Sequence, residues 1–329
     1  MNEENTSTKL RRVSSNPHTR SAVTTSNIMF WVTVALLPAA GYGVYHFGIN
    51  ALIILLLSVA STVISEFVYE KAMKKPVTVG DLSAVVTGLL LGMNLPSTVM
   101  WYVPVLGGIF AIIVVKMLFG GLGQNFMNPA LAARCFLLIS FPAAMTDFQT
   151  DAVSQATPLT ALKNGESVNV LNMVLGNIPG TIGETSMVAI VIGACILILL
   201  GIIDLRIPGS MIVSFVAFVV IVRLAGGHSI NPAYISAQLA GGGLMLGAFF
   251  MATDYVTSPI TGKGKYIFGI FIGIMTGIFR MFGNAPEGVS YAIVLGNLLV
   301  PLIKKWTLPR AFGISAPVKK KAEKESGRS

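Results

Sequence analysis

The chain has 329 residues, 53% hydrophobic and 11% charged, with a formal net charge of +9 at neutral pH. Soluble domains usually carry about 25% charged residues, so the composition excludes an ordinary soluble enzyme and points to a polytopic membrane protein. The basic residues concentrate in the two tails and one short turn, which is a topology signal and argues against a nucleic-acid-binding surface.

Residues 1–27 form a polar tail with Lys9, Arg11, Arg12 and Arg20 against Glu3 and Glu4. No small-residue cleavage site follows the first apolar run at the distance a signal peptide requires, so a retained span is expected there. That span is Asn27–Phe47, with Pro38 inside it, and Ala51–Ala72 is the second. The second ends in Glu70-Lys71-Ala-Met-Lys74-Lys75-Pro76, a basic turn expected on the inside. Leu82–Leu95 is short and bounded by Asp81 and Pro96, Val103–Phe119 is the fourth span, and Met127–Ile139 is again short. A span wants about 20 apolar residues. The two short, Gly- and Pro-interrupted segments are therefore expected as broken or re-entrant helices, which suit a buried binding site.

Residues 142–185 form a central polar loop whose charges are Asp147, Asp151, Glu166 and Glu184 against Lys163. That reverses the sign of the tails and places the loop outside. Ser186–Ile203, Gly209–Leu224, Ile235–Met251, Tyr266–Phe282 and Val289–Ile303 follow as further spans, before a basic tail from Lys304 onward. The expected organisation is a tail over 1–27, a membrane repeat over 28–141, the loop over 142–185, a second repeat over 186–303 and a tail over 304–329. The fold class is all-α, with about ten transmembrane helices and both termini inside.

Short words recur in the same order in the two halves. Gly88-Leu-Leu-Leu-Gly92 is echoed by Gly243-Leu-Met-Leu-Gly247, and Lys116-Met-Leu-Phe-Gly120 by Arg280-Met-Phe-Gly283. Asn128-Pro-Ala130 and Asn284-Ala-Pro-Glu-Gly288 follow the second pair. Five spans per half is an odd number, so the second half would enter the membrane upside down, giving two inverted five-helix repeats with the special site between them.

Classical catalytic equipment is sparse. His18, His46 and His228 are not spaced as a metal pair, and there is no P-loop, nucleotide-binding glycine fingerprint or nucleophile elbow. NAD and ATP are therefore not expected on this chain. Cys135 and Cys195 are too few for an iron–sulfur cluster and are expected as small core residues. Ionisable residues at membrane depth are Glu66, Lys116, Arg134, Arg223 and Arg280. Lys116, Arg223 and Arg280 are expected to snorkel from helix ends. Arg134 follows Asn128 on a short helix and could meet a phosphate or an anionic reduced flavin. Glu66 is a weaker candidate for an ion path.

Four words in order carry a resemblance. They are Gly120-Gly-Leu-Gly-Gln-Asn-Phe-Met-Asn-Pro-Ala130, Asp151…Ser154-Gln-Ala-Thr157-Pro-Leu, Phe250-Met-Ala-Thr-Asp254-Tyr-Val-Thr-Ser-Pro259 and Pro286-Glu-Gly288. The chain resembles, from about residue 15 to 305, the family that includes the D subunit of the Rnf complex and the B subunit of the sodium-pumping NADH:quinone reductase, and is closer to the Rnf member. The resemblance implies a covalent FMN on Thr157 through a phosphoester, within an attachment pattern that also takes in Asp151, Ser154 and Ala156. Gln155 stands where glycine is usual in that pattern. Asn128 and Arg134 are candidate flavin contacts, and a riboflavin deeper in the same chain is a further expectation.

The resemblance also implies partners. These are a flavin transferase, the lipid bilayer of a bacterial cytoplasmic membrane, and iron–sulfur, flavin and NAD-binding subunits of a multi-subunit complex. That complex would pass electrons between ferredoxin and NAD coupled to sodium or proton movement. The competing expectations are an inverted-repeat transporter or channel for a small solute, and a cofactor-free scaffold subunit.

Overall fold

A computed structural model of the chain describes residues 23–150, 153–154, 158–163, 168–227, 229, 231–283 and 288–309. Among them the regular structure is helical apart from one two-residue strand pair, and the chain is a polytopic, all-α membrane protein. Five helices are long and apolar enough to cross a membrane: α1 (Thr25–Phe47), α2 (Ile49–Ala72), α10 (Arg206–Ala225), α13 (Gly262–Phe282) and α14 (Val289–Thr307). Four shorter apolar helices join them: α3 (Ser83–Met93), α4 (Tyr102–Met117), α5 (Pro129–Ser140) and α9 (Met187–Leu199). A bent pair, α11 (Pro232–Ala240) and α12 (Leu244–Met251), is long enough together to make a sixth span, and brings the apolar segments among the described residues to ten, one for each apolar run in the sequence. The central loop between the halves adds three short helices, α6 (Pro142–Thr146), α7 (Pro158–Lys163) and α8 (Val170–Leu175). Large apolar side chains such as Ile64, Ile139, Leu199 and Val213 point outward, as lipid contact requires.

The eighth segment corrects the sequence reading. Ile235–Met251 is expected as one span, but the helix breaks at Gly241–Gly243 and its two parts meet at 60°. Three consecutive glycines supply no side-chain packing to hold a straight helix. Gly242 and Gly243 take left-handed backbone angles, φ +66° and +63°, that L side chains adopt only at a cost.

The packing scheme occurs twice. In the first half α2 packs against α3 and α4; in the second α10 packs against α12 and α13. Across the halves α1 packs against α9, and α5 against α14. Small residues set the closest approaches. Gly269, Gly273 and Gly277 form a stripe along α13, where an added Cβ would strike Ser210, Ser214 and Phe218 of α10. Membrane helices lack a water-driven force to associate, so backbone-to-backbone proximity of this kind does much of the holding.

The structure also changes the register of the repeat. Gly88 lies inside α3, buried against Val59 and Thr62 of α2, whereas Gly243 precedes α12 in a left-handed conformation. The true counterpart of Gly243 is Leu82, which caps α3 with φ 64°, ψ 5° against φ 63°, ψ 13° at Gly243. The Lys116 and Arg280 echo stands: each closes the helix that packs on a long helix of its half, α4 on α2 and α13 on α10. Both are buried, 2% and 4% exposed, so neither snorkels. Arg223 lies over the Tyr234 ring, 4.0 Å from its centroid.

Cys195 is exposed on the lipid-facing side of α9 and Cys135 is half-buried, so neither is the fully buried core residue expected. On the basic side, Lys265 at the start of α13 bonds Asp204 at 3.0 Å in the turn before α10. Partial burial works to raise the Asp204 carboxyl. The Arg206 N–H and the Lys265 ammonium outweigh it and hold the group below the usual carboxylate range.

Candidate functional site

The central loop is built into the membrane body. Of the predicted attachment segment, Asp151, Gln155, Ala156 and Thr157 lie outside the described residues. Ser154 belongs to β2 (Val153–Ser154), which pairs antiparallel with β1 (Gln149–Thr150). Immediately after Thr157, α7 presses Leu159 onto Gly241 and Gly242, the break of the second half. Lys163 Nζ donates to the Gly283 carbonyl at the end of α13.

Further along, Ile182 N–H donates to Leu95 O at 3.1 Å and Gly183 N–H to Met93 O at 2.7 Å, at the C-terminal end of α3. Ile182 also lies so close to Gly43 of α1 that a Cβ there would strike its carbonyl. One loop therefore closes the short helix of the first half and the broken helix of the second. Between the loop and the glycine break is a small cleft of about 260 Å³, open space included, lined by Pro158, Leu159, Ile178–Gly180, Glu184, Gly241 and Gly242. Glu184 was missed by the sequence reading except as a loop charge. It is buried, and among the described residues its Oε2 has no hydrogen-bond partner. An acid beside the glycine-rich boundary of a membrane segment is the signal that could have found it.

Arg280 stabilises the break from the other side. Its guanidinium donates to the carbonyl of Gln238 and, at 2.9 Å each, to those of Gly241 and Gly242. A helix that stops inside a membrane leaves carbonyls without partners, and five donors in a planar fork suit several at once. Arg134 acts between the halves: Nη1 donates to Asn94 Oδ1 at 3.2 Å and to Ser290 Oγ at 2.7 Å. It joins α5 to the end of α3 and the start of α14.

A larger pocket, about 790 Å³ with its open mouth, lies between α1, α3, α9 and the segment after α12, and Arg134 does not line it. Two of the four sequence words meet on its wall. Asn125 and Asn128 come from the glycine-rich turn, and Phe249, Phe250 and Thr253–Val256 from the third word and its flank. Asn128 caps α5, accepting from Ala130 N–H at 3.0 Å, and its Nδ2 donates to Met251 O at 3.3 Å. Asn297, in the amide orientation that satisfies both neighbours, accepts from Asn128 N–H and donates to Thr257 O, each at 3.1 Å. The walls are mostly apolar with a few convergent polar groups, the usual make-up of a cofactor pocket.

Lys116 and Ser83 also reach this wall. Lys116 Nζ is 2.8 Å from both carboxylate oxygens of Glu66 and 2.6 Å from Ser83 Oγ.

A model of the NQR2, RnfD, RnfE family matches residues 12–313. The chain belongs to this family. Among its relatives is the D subunit of the Na(+)-translocating ferredoxin:NAD(+) oxidoreductase complex of Acetobacterium woodii. It is 46% identical over an alignment covering 94% of this chain and 98% of that protein. The D subunit of the proton-translocating ferredoxin:NAD(+) oxidoreductase complex of Clostridium ljungdahlii is 41% identical, covering 92% of this chain and 96% of that protein. The D subunit of the ion-translocating oxidoreductase complex of Actinobacillus succinogenes is 35% identical, covering 92% and 98%. Homologues of this family member are thus subunits of ion-translocating oxidoreductase complexes. Their names divide between sodium and protons, so membership alone fixes neither ion.

Proposed function

We propose that this chain is the membrane flavoprotein of an Rnf-type ferredoxin:NAD oxidoreductase, its D subunit, with FMN joined to Thr157 by a phosphoester. The observation that carries this reading is the full-length similarity to the D subunits, together with the attachment word standing immediately before α7. A hydroxyl is the group needed to accept the phosphoester. Pro158 and the docked Leu159 fix the chain just beyond it, so a flavin there is held over the cleft at Gly241–Gly242. A bound flavin supplies one- and two-electron chemistry, and the protein supplies position and electrostatics.

The larger pocket is proposed as the seat of a second flavin, riboflavin. Its apolar walls from α1 and α12 and the polar atoms of Thr87, Asn125 and Asn128 suit a flat ring with a hydroxylated tail. Both tails are proposed on the inside and the loop on the outside, as the charge distribution argues. The remaining subunits would hold the iron–sulfur clusters and the ferredoxin and NAD sites, and a flavin transferase would load Thr157.

The test is a denaturing gel of the chain co-expressed with the transferase, viewed under ultraviolet light. The parent should give a flavin-fluorescent band. Thr157→Ala should lose it and Thr160→Ala, inside α7, should keep it. A fluorescent Thr157→Ala band would refute the attachment site, and a dark parent band would refute covalent flavin altogether.

A further inference from the structure

Glu66 and Lys116 are both almost completely buried, and they belong to a longer line of hydrogen-bonding groups. The line starts at Thr78, exposed in the basic turn after α2. Thr78 N–H donates to Glu70 Oε2 at 3.0 Å and its hydroxyl donates to Glu70 Oε1. The same hydroxyl lies 3.5 Å from Glu66 Oε1, long for a hydrogen bond, so a rotation of Thr78 transfers its contact from one acid to the other. Glu66 is held by Lys116, Lys116 reaches Ser83 Oγ, and Ser83 Oγ donates to Asp81 at 2.5 Å. Ser83 and Lys116 are in the wall of the large pocket. The charged groups around Glu66 are Glu70 on its own helix, Asp81 from the turn before α3, and Lys116 from α4.

We propose that this line is a proton conduit from the aqueous face at Thr78 to the large pocket, with Glu66–Lys116 as its loading pair. This rests on the reading of that pocket as a redox-cofactor site. The steps conserve charge. Lys116 gives a proton to the pocket's occupant as the occupant is reduced by electrons from the ferredoxin side. Glu66, protonated from the aqueous face by way of Glu70 and Thr78, passes its proton to the neutral Lys116 amine. The pair then stands as ammonium and carboxylate again, and one proton has moved from the face to the pocket.

A proton is favoured over sodium because the oxygens a metal ion would need are already engaged. Both oxygens of Glu66 accept from Lys116, both of Glu70 accept from Thr78, and Asp81 Oδ1 accepts from the Ser83 N–H and hydroxyl. The Lys116 ammonium occupies the place a cation would take. Unlike arginine, lysine readily gives up its proton in a buried site.

The alternative is a static clamp between α2 and α4. A neutral double variant separates the two, because buried ion pairs can often be replaced by uncharged groups of similar shape without loss of stability. The experiment uses the whole complex purified into liposomes, comparing the parent with Glu66→Gln/Lys116→Met. Ferredoxin:NAD turnover and dye-detected proton uptake after rapid reduction are the two readouts.

The conduit predicts an assembled double variant whose turnover and proton uptake both fall at least about tenfold, and whose rates recover in part with formate or azide as small proton carriers. Thr78→Val, exposed and outside the spans, removes one link and tests the line even if the double variant fails to assemble. It should slow proton uptake about threefold or more, with the same rescue. Parent-like rates in the assembled double variant or in Thr78→Val overturn the conduit. A raised sodium requirement without rescue by formate or azide also overturns it. A parent complex without ferredoxin:NAD turnover overturns both the conduit and the reading of the chain beneath it.

Discussion

Arg280 is the side chain on which the broken segment depends. Three carbonyls, at Gln238, Gly241 and Gly242, accept from it in a buried setting. An unpaired buried polar group costs about 1–3 kcal/mol. Arg280→Met removes all the donors together and should destabilise the chain by about 3 kcal/mol or more, read as a lowered denaturation midpoint in detergent. A midpoint within error of the parent would show that water or a neighbouring helix satisfies those carbonyls. The same side chain shows why individual charges are hard to read from sequence. Lys116, Arg223 and Arg280 all stand near the ends of apolar runs, the position from which a basic side chain can reach the interface. Nothing in the order of residues tells whether another helix packs over that end. For Arg280 the cover comes from α11 and the glycine break, about 40 residues earlier in the chain.

At the scale of elements, the ten apolar runs are legible because lipid demands continuous hydrophobic length, and each run in the sequence became a segment in the structure. The register within them is not legible. Gly88-Leu-Leu-Leu-Gly92 and Gly243-Leu-Met-Leu-Gly247 read alike, yet Gly88 is needed for close packing on α2 and Gly243 for a backbone angle. The same residue type answers two different physical demands, so the match of words misaligned the repeat. Gly243→Ala tests the second demand. A left-handed alanine costs about 1–2 kcal/mol, and the new Cβ would stand 2.7 Å from Glu184 Oε2. The variant should lose about that much stability and shift Glu184. The outcome is checked by thermal unfolding of the purified complex, where no change would mean that the break can take up another conformation. Leu82 already bears such a conformation at the matching place in the first half, with φ 64°.

For the whole molecule, the odd number of segments per half and the basic tails give a testable topology. Reporter fusions at residue 15 and residue 320 should lie on the same side of the membrane, and a reporter inserted at residue 165 on the other. A reporter at 165 on the side of the tails would remove one crossing from the first half and with it the inverted arrangement. The candidate site was legible only in part. The structure, not the order of residues, brings Asn128 to one pocket with Phe250 and Thr253–Val256 of the third word, because residues more than 120 positions apart can line one cavity without any sequence signal joining them. The pairing of Glu66 with Lys116 escaped for the same reason: their separation of 50 residues carries no helical or strand period to reveal it.

The hydrogen bonds from Ile182 and Gly183 to Leu95 and Met93 have a consequence in time. The chain is made from its N-terminus, so the end of α3 is synthesised about 88 residues before Gly183 arrives to complete it, counting from Leu95. At about 5–20 residues per second, the ribosome takes roughly 4–18 s to supply the missing piece. During that interval the fourth and fifth apolar segments are added while the carbonyls of Met93 and Leu95 still lack their partners. A premature stop between residues 141 and 182 would therefore leave a fragment with every helix of the first half and no way to close it, a natural substrate for membrane proteolysis.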